Sequence, residues 1–455
     1  LTDEDWEDFI TGVNTSLNTK KMIPTNASNT SNAIIANGVL DHFGLLPQVY
    51  APAITLNRMP IDAYFEIYNK WFRDQNLQNE WTWDKTDPVI LTAEYTNGAA
   101  WDQMPLRVNK VHDPFTASLP WPQKGVAVNL PITGTAPVVG TGVPQFQRAV
   151  GIDVSPLRYL NTQTNVQWSA AATGSGDALW ADPELEAQLS GANAITINAL
   201  RLALVTQQML ELDARGGSRY VENLMSHWGV QSPDYRLQNP EYIGGSKIPV
   251  IINPVSQTAA YNAEPDLDEA SALGNLGAEM HASSSRGTFR YASTEHGYII
   301  GLGAVRSTPT YQQGTRNHWK QFTRLDFYDP ILANIGEQAI DTQEIYQPAN
   351  DTPANTTWGY QEAWWQYRVS PNEITGQLRS TYTQPMDWWH LSEEFGAEPA
   401  LNGTFITDKT QETLARSLAT APSAQWSAQI IADITHNSRV ARLMPAYSVP
   451  GLKRF

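Results

Sequence analysis

The chain has 455 residues, 41% apolar and only 17% charged, and its 46 acids against 30 bases give a formal charge of −16. The apolar share is too high for a disordered chain, and the absence of cysteine excludes a disulfide scaffold, a Cys-ligated zinc or iron–sulfur site and a Cys nucleophile. No run of about 18 apolar residues is present to form a transmembrane helix, and the negative charge argues against a protein that coats duplex DNA by bulk charge.

The first eight residues are acidic and aromatic, the reverse of a signal peptide. Pro60 suits a first helical position, and Ile61, Tyr64, Phe65, Tyr68 and Phe72 behind it form a helical apolar stripe. Residues 126–130 alternate as a strand does. Residues 131–194 are rich in Gly, Thr, Ala and Ser, with few periodic apolar positions. That composition predicts a long surface excursion rather than a core layer, either a floppy insertion or an exposed interaction loop. Thr196 can cap a second helix carrying Leu202, Val205, Met209 and Leu212, which stops at Gly216-Gly217. A third helix starts near Ser218, carries Val221, Leu224, Met225 and Trp228, and ends at Gly229. All three stripes are expected to pack into a core, since packing supplies most of a helix's stability. Further strands are predicted at 298–302, 324–328, 364–369 and 377–382. Strands and helices do not alternate regularly, so a β-sandwich with large helix-bearing insertions fits better than an α/β fold.

Catalytic signatures are missing: there is no Walker A loop, dinucleotide fingerprint, HExxH helix or GxSxG elbow. Gly216-Gly217 ahead of a helix could cradle an anion, but reads more readily as a helix stop. None of the eight histidines has metal-ligand spacing on one helix face. His112-Asp113 and Glu295-His296 are sequence neighbours, which do not face each other in regular structure. Sixteen tryptophans among many carboxylates raise a carbohydrate-binding or glycoside-hydrolysing reading, without singling out a carboxylate pair.

The most informative charge pattern lies at 286–324. There Arg286, Arg290, Arg306, Arg316, Lys320 and Arg324 meet a single acid, Glu295, with Tyr291, Tyr311, Trp319 and Phe322 interleaved. Cations among aromatic rings suit single-stranded nucleic acid. The competing reading pairs these bases with acids elsewhere in a subunit interface. The C-terminal stretch is also basic, with Arg439, Arg442, Lys453 and Arg454 following the last acid, Asp433.

Ordered motifs then add a resemblance. They begin with the 60–77 helix and His112-Asp113-Pro114-Phe115, followed by Asp213-Ala214-Arg215-Gly216-Gly217-Ser218-Arg219-Tyr220 and Ser226-His227-Trp228-Gly229-Val230. Pro240-Glu241-Tyr242-Ile243-Gly244-Gly245, Tyr311-Gln312-Gln313-Gly314, Ile335-Gly336-Glu337-Gln338 and Gly359-Tyr360-Gln361-Glu362 come next, and Met444-Pro445-Ala446-Tyr447 with Pro450-Gly451-Leu452 close the series. Together they resemble the major capsid protein of the Microviridae, in its gokushovirus-like branch. The resemblance implies one viral jelly-roll domain over 1–455, mainly β, with long loop and helical insertions. Residues 131–194 sit where a threefold protrusion is expected. The stretch before the Pro60 helix is short for the family and opens on Leu1 rather than Met, so some N-terminal strands are expected to be missing. The implied particle is a T=1 icosahedral virion of sixty copies around circular single-stranded DNA, assembled in the host bacterial cytoplasm. Its implied partners are a small basic DNA-binding protein, a DNA pilot protein and a host surface receptor, with no catalysis, cofactor, metal or membrane insertion. Arg286, Arg290, Arg306, Arg316, Trp319, Lys320 and Arg324 are then the candidate nucleic-acid-facing residues.

Overall fold

A computed structural model describes residues 32–83, 95–128, 197–231, 240–256, 258, 278–284, 289–293, 297–348, 356–418 and 429–442. It also gives the backbone of short strands at 21–23, 89–90, 138–140, 145–148, 154–158, 167–168, 178–182, 185–187 and 276–277. The chain divides into two compact units, residues 1–120 with 232–455, and residues 121–231.

The first unit holds two apolar cores. One is organised by helices Val39–His42 (α1) and Met59–Ile67 (α2). Pro60 is the second residue of α2, one place later than predicted, and the predicted stripe does face inward: Ile61, Tyr64, Phe65 and Tyr68 are buried with Ile34, Val39, Leu40, Trp81, Tyr95 and Trp101. Phe65 is the hub, stacked on Tyr95 at 4.3 Å and edge-on to Trp101 at 4.9 Å. Such ring geometries add about 0.5–1.5 kcal/mol each beyond area burial. The helix then widens into a π turn, Tyr68–Phe72, which buries Asn69. The Asn69 amide donates to the Trp81 carbonyl at 2.7 Å and accepts from the Trp81 N–H at 3.1 Å. Both polar ends of a buried side chain are thereby used, the condition for burying it at all. Short strands Lys21–Ile23 (β1), Leu56–Asn57 (β2) and Val89–Ile90 (β3) form a sheet, with β1 antiparallel to β2 and parallel to β3.

The second core gathers Phe115, Tyr311, Ile340, Ile345, Trp358, Trp365, Phe405 and Ile406. Its frame is the antiparallel pair Glu337–Asp341 and Thr357–Glu362, with a bulge at Ile340/Asp341. Leu119 and Tyr360 exchange backbone hydrogen bonds at 2.8 and 2.7 Å, which ties the 112–119 segment to that pair. Gly314 passes so close to the Glu344 carbonyl that a Cβ would sit 1.9 Å from it. Only glycine fits there.

Five predicted strands are corrected, the fifth over its described residues alone. Residues 324–328 form a 3-10 turn at Arg324–Asp326, because the Asp326 carboxylate accepts from the Phe322 and Thr323 N–H groups at 3.0 and 2.7 Å and curls the chain. Residues 364–369 turn at Trp365–Tyr367, entered through Trp364 at φ 65. Residues 377–382 follow Gly376, φ 68, into another 3-10 turn, Gly376–Leu378. Residues 298–302 carry no helix or paired strand. Residues 126–128 likewise carry none, and 129–130 lie outside the described residues. Alternating apolar residues read alike in a half-buried strand and in a turn-built loop. What separates them is which groups take the backbone hydrogen bonds.

In the second unit, strands Val138–Gly140 (β4), Gln145–Arg148 (β5), Val154–Arg158 (β6), Gln167–Trp168 (β7), Ala178–Asp182 (β8) and Leu185–Ala187 (β9) lie within the 131–194 run. They form a sheet of order β7-β6-β5-β8 and a separate antiparallel β4-β9 pair. The rest of that run lies outside the described residues. Two helices follow, Ile197–Arg215 (α3) and Tyr220–Trp228 (α4). Gly216-Gly217 is the predicted stop: Gly217 takes φ 95 against the Glu222 side chain, and the Gly216 N–H reaches the Leu212 carbonyl at 2.7 Å. Asp213 joins the helices, accepting from Asn223 Nδ2 at 2.8 Å and pairing with His227 Nε2 at 2.8 Å. Gly229 closes α4 at φ 65. The expected core packing fails here. Leu202, Val205 and Met209 on α3, and Met225 and Trp228 on α4, are exposed. A helical period marks a face that packs, but not whether its partner belongs to the same chain.

Among the described residues no helix is long and apolar enough to cross a membrane, and no cluster of His, Asp or Glu could hold a metal ion.

Candidate functional site

The basic, aromatic strip predicted at 286–324 falls into three groups. Arg286 lies outside the described residues. Arg316 and Lys320 have partners in their own chain. The Arg316 guanidinium meets Glu373 through Nε and donates to Ser370 Oγ at 2.6 Å and to the Pro371 carbonyl at 2.8 Å. Lys320 Nζ lies 3.4 Å from Asp341. Both of these bases meet acids inside their own chain rather than across a subunit interface. Arg290, Arg306 and Arg324 are exposed, and Arg306 donates to the Asn109 carbonyl at 3.3 Å. Trp319 is 70% exposed with its ring against His318.

A second surface feature was not visible in the sequence. Residues 317–332 are built from three consecutive 3-10 turns, Asn317–Lys320, Arg324–Asp326 and Pro330–Leu332. Asp326 caps the second turn, and the Asp329 carboxylate caps the third by accepting from the Ile331 N–H at 2.9 Å. Polar side chains are spent on the backbone, and apolar ones point away from it. Phe322 is 86% and Ile331 91% exposed, with Trp319, Leu325, Phe327 and Tyr328 also open. A cluster of this kind on an ordered loop marks a contact surface.

Behind the strip lies the charged interior that sequence reasoning missed. Glu393 bridges Lys110 and Lys409, each at 2.5 Å. Lys110 Nζ also sits 4.3 Å from the centre of the Phe405 ring. Burial pushes the Lys110 ammonium below its usual range, opposed by the Glu393 charge. Tyr311 donates its hydroxyl to Asp113 at 2.6 Å, and burial raises its pKa. His112 and Asp113 therefore do not act as a pair. Glu295 and His296 lie outside the described residues.

Glu344 is perturbed as well. Burial pushes it from 4.5 to about 7, with Lys320 lowering it and Asp341 raising it. A carboxyl group whose folded-state pKa is raised favours folding most when protonated in both states. The penalty therefore grows between pH 4.5 and about 7 and is complete above that. Glu344→Gln should stabilise the protein at pH 8 by up to about 3 kcal/mol and change little at pH 4.5. Urea denaturation at the two pH values checks this, and equal shifts at both would refute it.

The chain's similarities to known proteins bear on these surfaces. A family described as capsid protein (F protein) matches residues 1–452. The chain is 39% identical over 460 residues to capsid protein VP1 of Bdellovibrio phage phiMH2K, covering 98% of this chain and 82% of that protein. It is 32% identical to VP1 of Chlamydia phage 1, covering 99% and 84% respectively. It is 34% identical to VP1 of Spiroplasma virus 4, covering 91% and 76%.

Proposed function

The chain belongs to the capsid protein (F protein) family, and from that membership we propose that sixty copies close a T=1 icosahedral shell around circular single-stranded DNA. It is a major capsid protein of a small phage, a structural protein of the virion rather than an enzyme, whose work is self-assembly. The match across 1–452 carries this reading. A carbohydrate-active role falls with it.

The architecture we propose is a single jelly roll over 1–455. Residues 131–194 form its outward protrusion at the threefold axes and meet a host surface receptor. Assembly takes place in the host bacterial cytoplasm. A small basic DNA-binding protein and a DNA pilot protein complete the particle. The net charge of −16 fits such a division of labour, because a basic partner neutralises most phosphate. Electron microscopy with a nuclease-protection assay tests the whole. Uniform closed particles holding nuclease-resistant single-stranded DNA are expected, and shells without protected DNA would overturn it.

The exposed Arg290 and Arg324, with Trp319, are proposed as the DNA-facing part of the 286–324 strip. Arg290→Gln with Arg324→Gln should lower DNA retention, and each lost phosphate contact should flatten the salt dependence of binding by about 0.7 in log–log slope. Arg316→Gln should instead reduce subunit stability, since that side chain holds the 370–373 segment. An unaltered salt slope in the Arg290/Arg324 variant would remove those residues from the DNA face.

A further inference from the structure

Helix α3 packs its small residues inward and leaves its large ones out. Ala214 is buried, and Ala199 and Ala203 are half-buried. That side is fastened to its own unit. The Lys124 N–H donates to the Leu210 carbonyl at 3.2 Å, Lys124 Nζ donates to Ser218 Oγ at 2.6 Å, and a Cβ at Gly125 would stand 4.0 Å from the Leu210 side chain. The large residues face elsewhere. Leu202, Val205, Met209 and Leu212 are exposed and lie roughly 130° around the helix from those alanines, at 3.6 residues per turn. Ile197 and Leu204, also exposed, widen the apolar surface on one flank.

The four positions are separated by 3, 4 and 3 residues, which is the a and d spacing of a heptad. A stripe of that period is self-complementary, since the knobs of one helix fit the holes between the same residues of another. Its extent selects the occupant. From Leu202 to Leu212 the stripe runs about 16 Å and covers on the order of 200 Å², well under the roughly 800 Å² per partner of a stable complex. So small a contact does not hold a free partner. It does hold copies already joined elsewhere, because tethering raises their effective concentration. Charge selects the direction. Parallel pairing sets Arg201 of one copy beside Thr206 of the next, and Gln208 beside Asp213, with no like charges across the seam. Antiparallel pairing with the stripes in full overlap brings Arg201 beside Arg215. We propose that the α3 stripe packs, in parallel, against the same stripe on a second copy of the chain. The inference rests on reading the protein as a self-assembling shell subunit, and it names one contact of that assembly, separate in sequence from the 317–332 surface.

The chain has no cysteine, so one introduced thiol reports on one place. Val205→Cys puts it on the seam at a d position, where equivalent residues of parallel helices face each other within the roughly 4.4–6.8 Å between Cα atoms that a disulfide spans. Leu200→Cys, exposed off the seam, is the control. In assembled particles under mild oxidation with copper–phenanthroline, Val205→Cys should give disulfide-linked chains about tenfold or more faster than Leu200→Cys, as an effective concentration set by the seam requires. In dispersed subunits a bulky maleimide should label both thiols equally fast, and assembly should protect only the one at 205. Leu202→Cys, one turn earlier on the stripe, repeats both measurements independently of the substitution at 205. Equal crosslinking from 200 and 205 would overturn the proposal. So would slow labelling at 205 in dispersed subunits, since the stripe would then be covered by its own chain. A disulfide that forms between Val205→Cys and Met209→Cys, but not between two copies of Val205→Cys, would overturn the parallel pairing. Particles that form and protect DNA without the crosslink at 205 would sink the seam alone. Unaltered subunits that form no particles at any concentration would sink the shell reading and the seam together.

Discussion

Glu393→Ala is expected to destabilise the subunit by about 3–5 kcal/mol, the usual cost of removing one partner from a buried ion pair. Its carboxylate is the shared counter-charge of Lys110 and Lys409, and both Lys110 and Glu393 are largely buried. Without it, Lys110 keeps the Phe405 and Phe395 rings at 4.3 and 5.9 Å and the more distant Asp408 charge, and a cation–π contact contributes about 0.5–2 kcal/mol. The loss would spread. The Lys110 N–H bonds the Ile406 carbonyl at 2.9 Å, and the Glu393 carbonyl accepts from Gln312 Nε2 at 3.1 Å. Segments 107–119, 310–314 and 392–416 thus meet at one charge. Replacing both partners, Lys110→Met with Glu393→Leu, should recover most of the stability, because no charge is then stranded. Denaturant midpoints decide the matter. A single variant as stable as the unaltered chain would show that the carboxylate does not hold these segments.

Phe322→Ser with Ile331→Ser should leave a folded subunit that fails to assemble. Both side chains are almost fully exposed in the single chain, so their removal takes little from its fold. Burying a Phe or Ile side chain contributes about 1.5–3 kcal/mol. In a closed shell every copy repeats the loss, and the deficits sum. The caps at Asp326 and Asp329 are untouched, which keeps the loop in shape. Sedimentation should show subunits in place of particles, with an unchanged circular dichroism spectrum. Particles at ordinary yield would move the contact surface elsewhere.

How much of this was legible in the sequence depended on range. The α2 stripe was readable because 3.6-residue periodicity is local, and Phe65 and Tyr68 are buried where it places them. The stops at Gly217 and Gly229 were readable because positive φ selects glycine. The α3 stripe was seen correctly as a face but wrongly as a core. The 324–328 strand failed because the decisive contact is a carboxylate returning to Phe322 and Thr323, which alternation does not encode. The site was less legible. Arg316 and Glu373 are 57 positions apart, and Lys110 and Glu393 are 283 apart, so composition saw only a basic run. Family membership, by contrast, was carried by the order of many short motifs, none of which needed a contact map.

Residues 297–306 and 429–442 carry no helix and no paired strand, and Ile299, Ile431, Ile434 and Val440 stand open along them. A chain that leaves such stretches uncovered makes its own order a matter of mass action. Dilution and concentration become conformational variables, as temperature and denaturant are. The thermal midpoint should climb with protein concentration, and a protease should cut these stretches fastest in the most dilute sample.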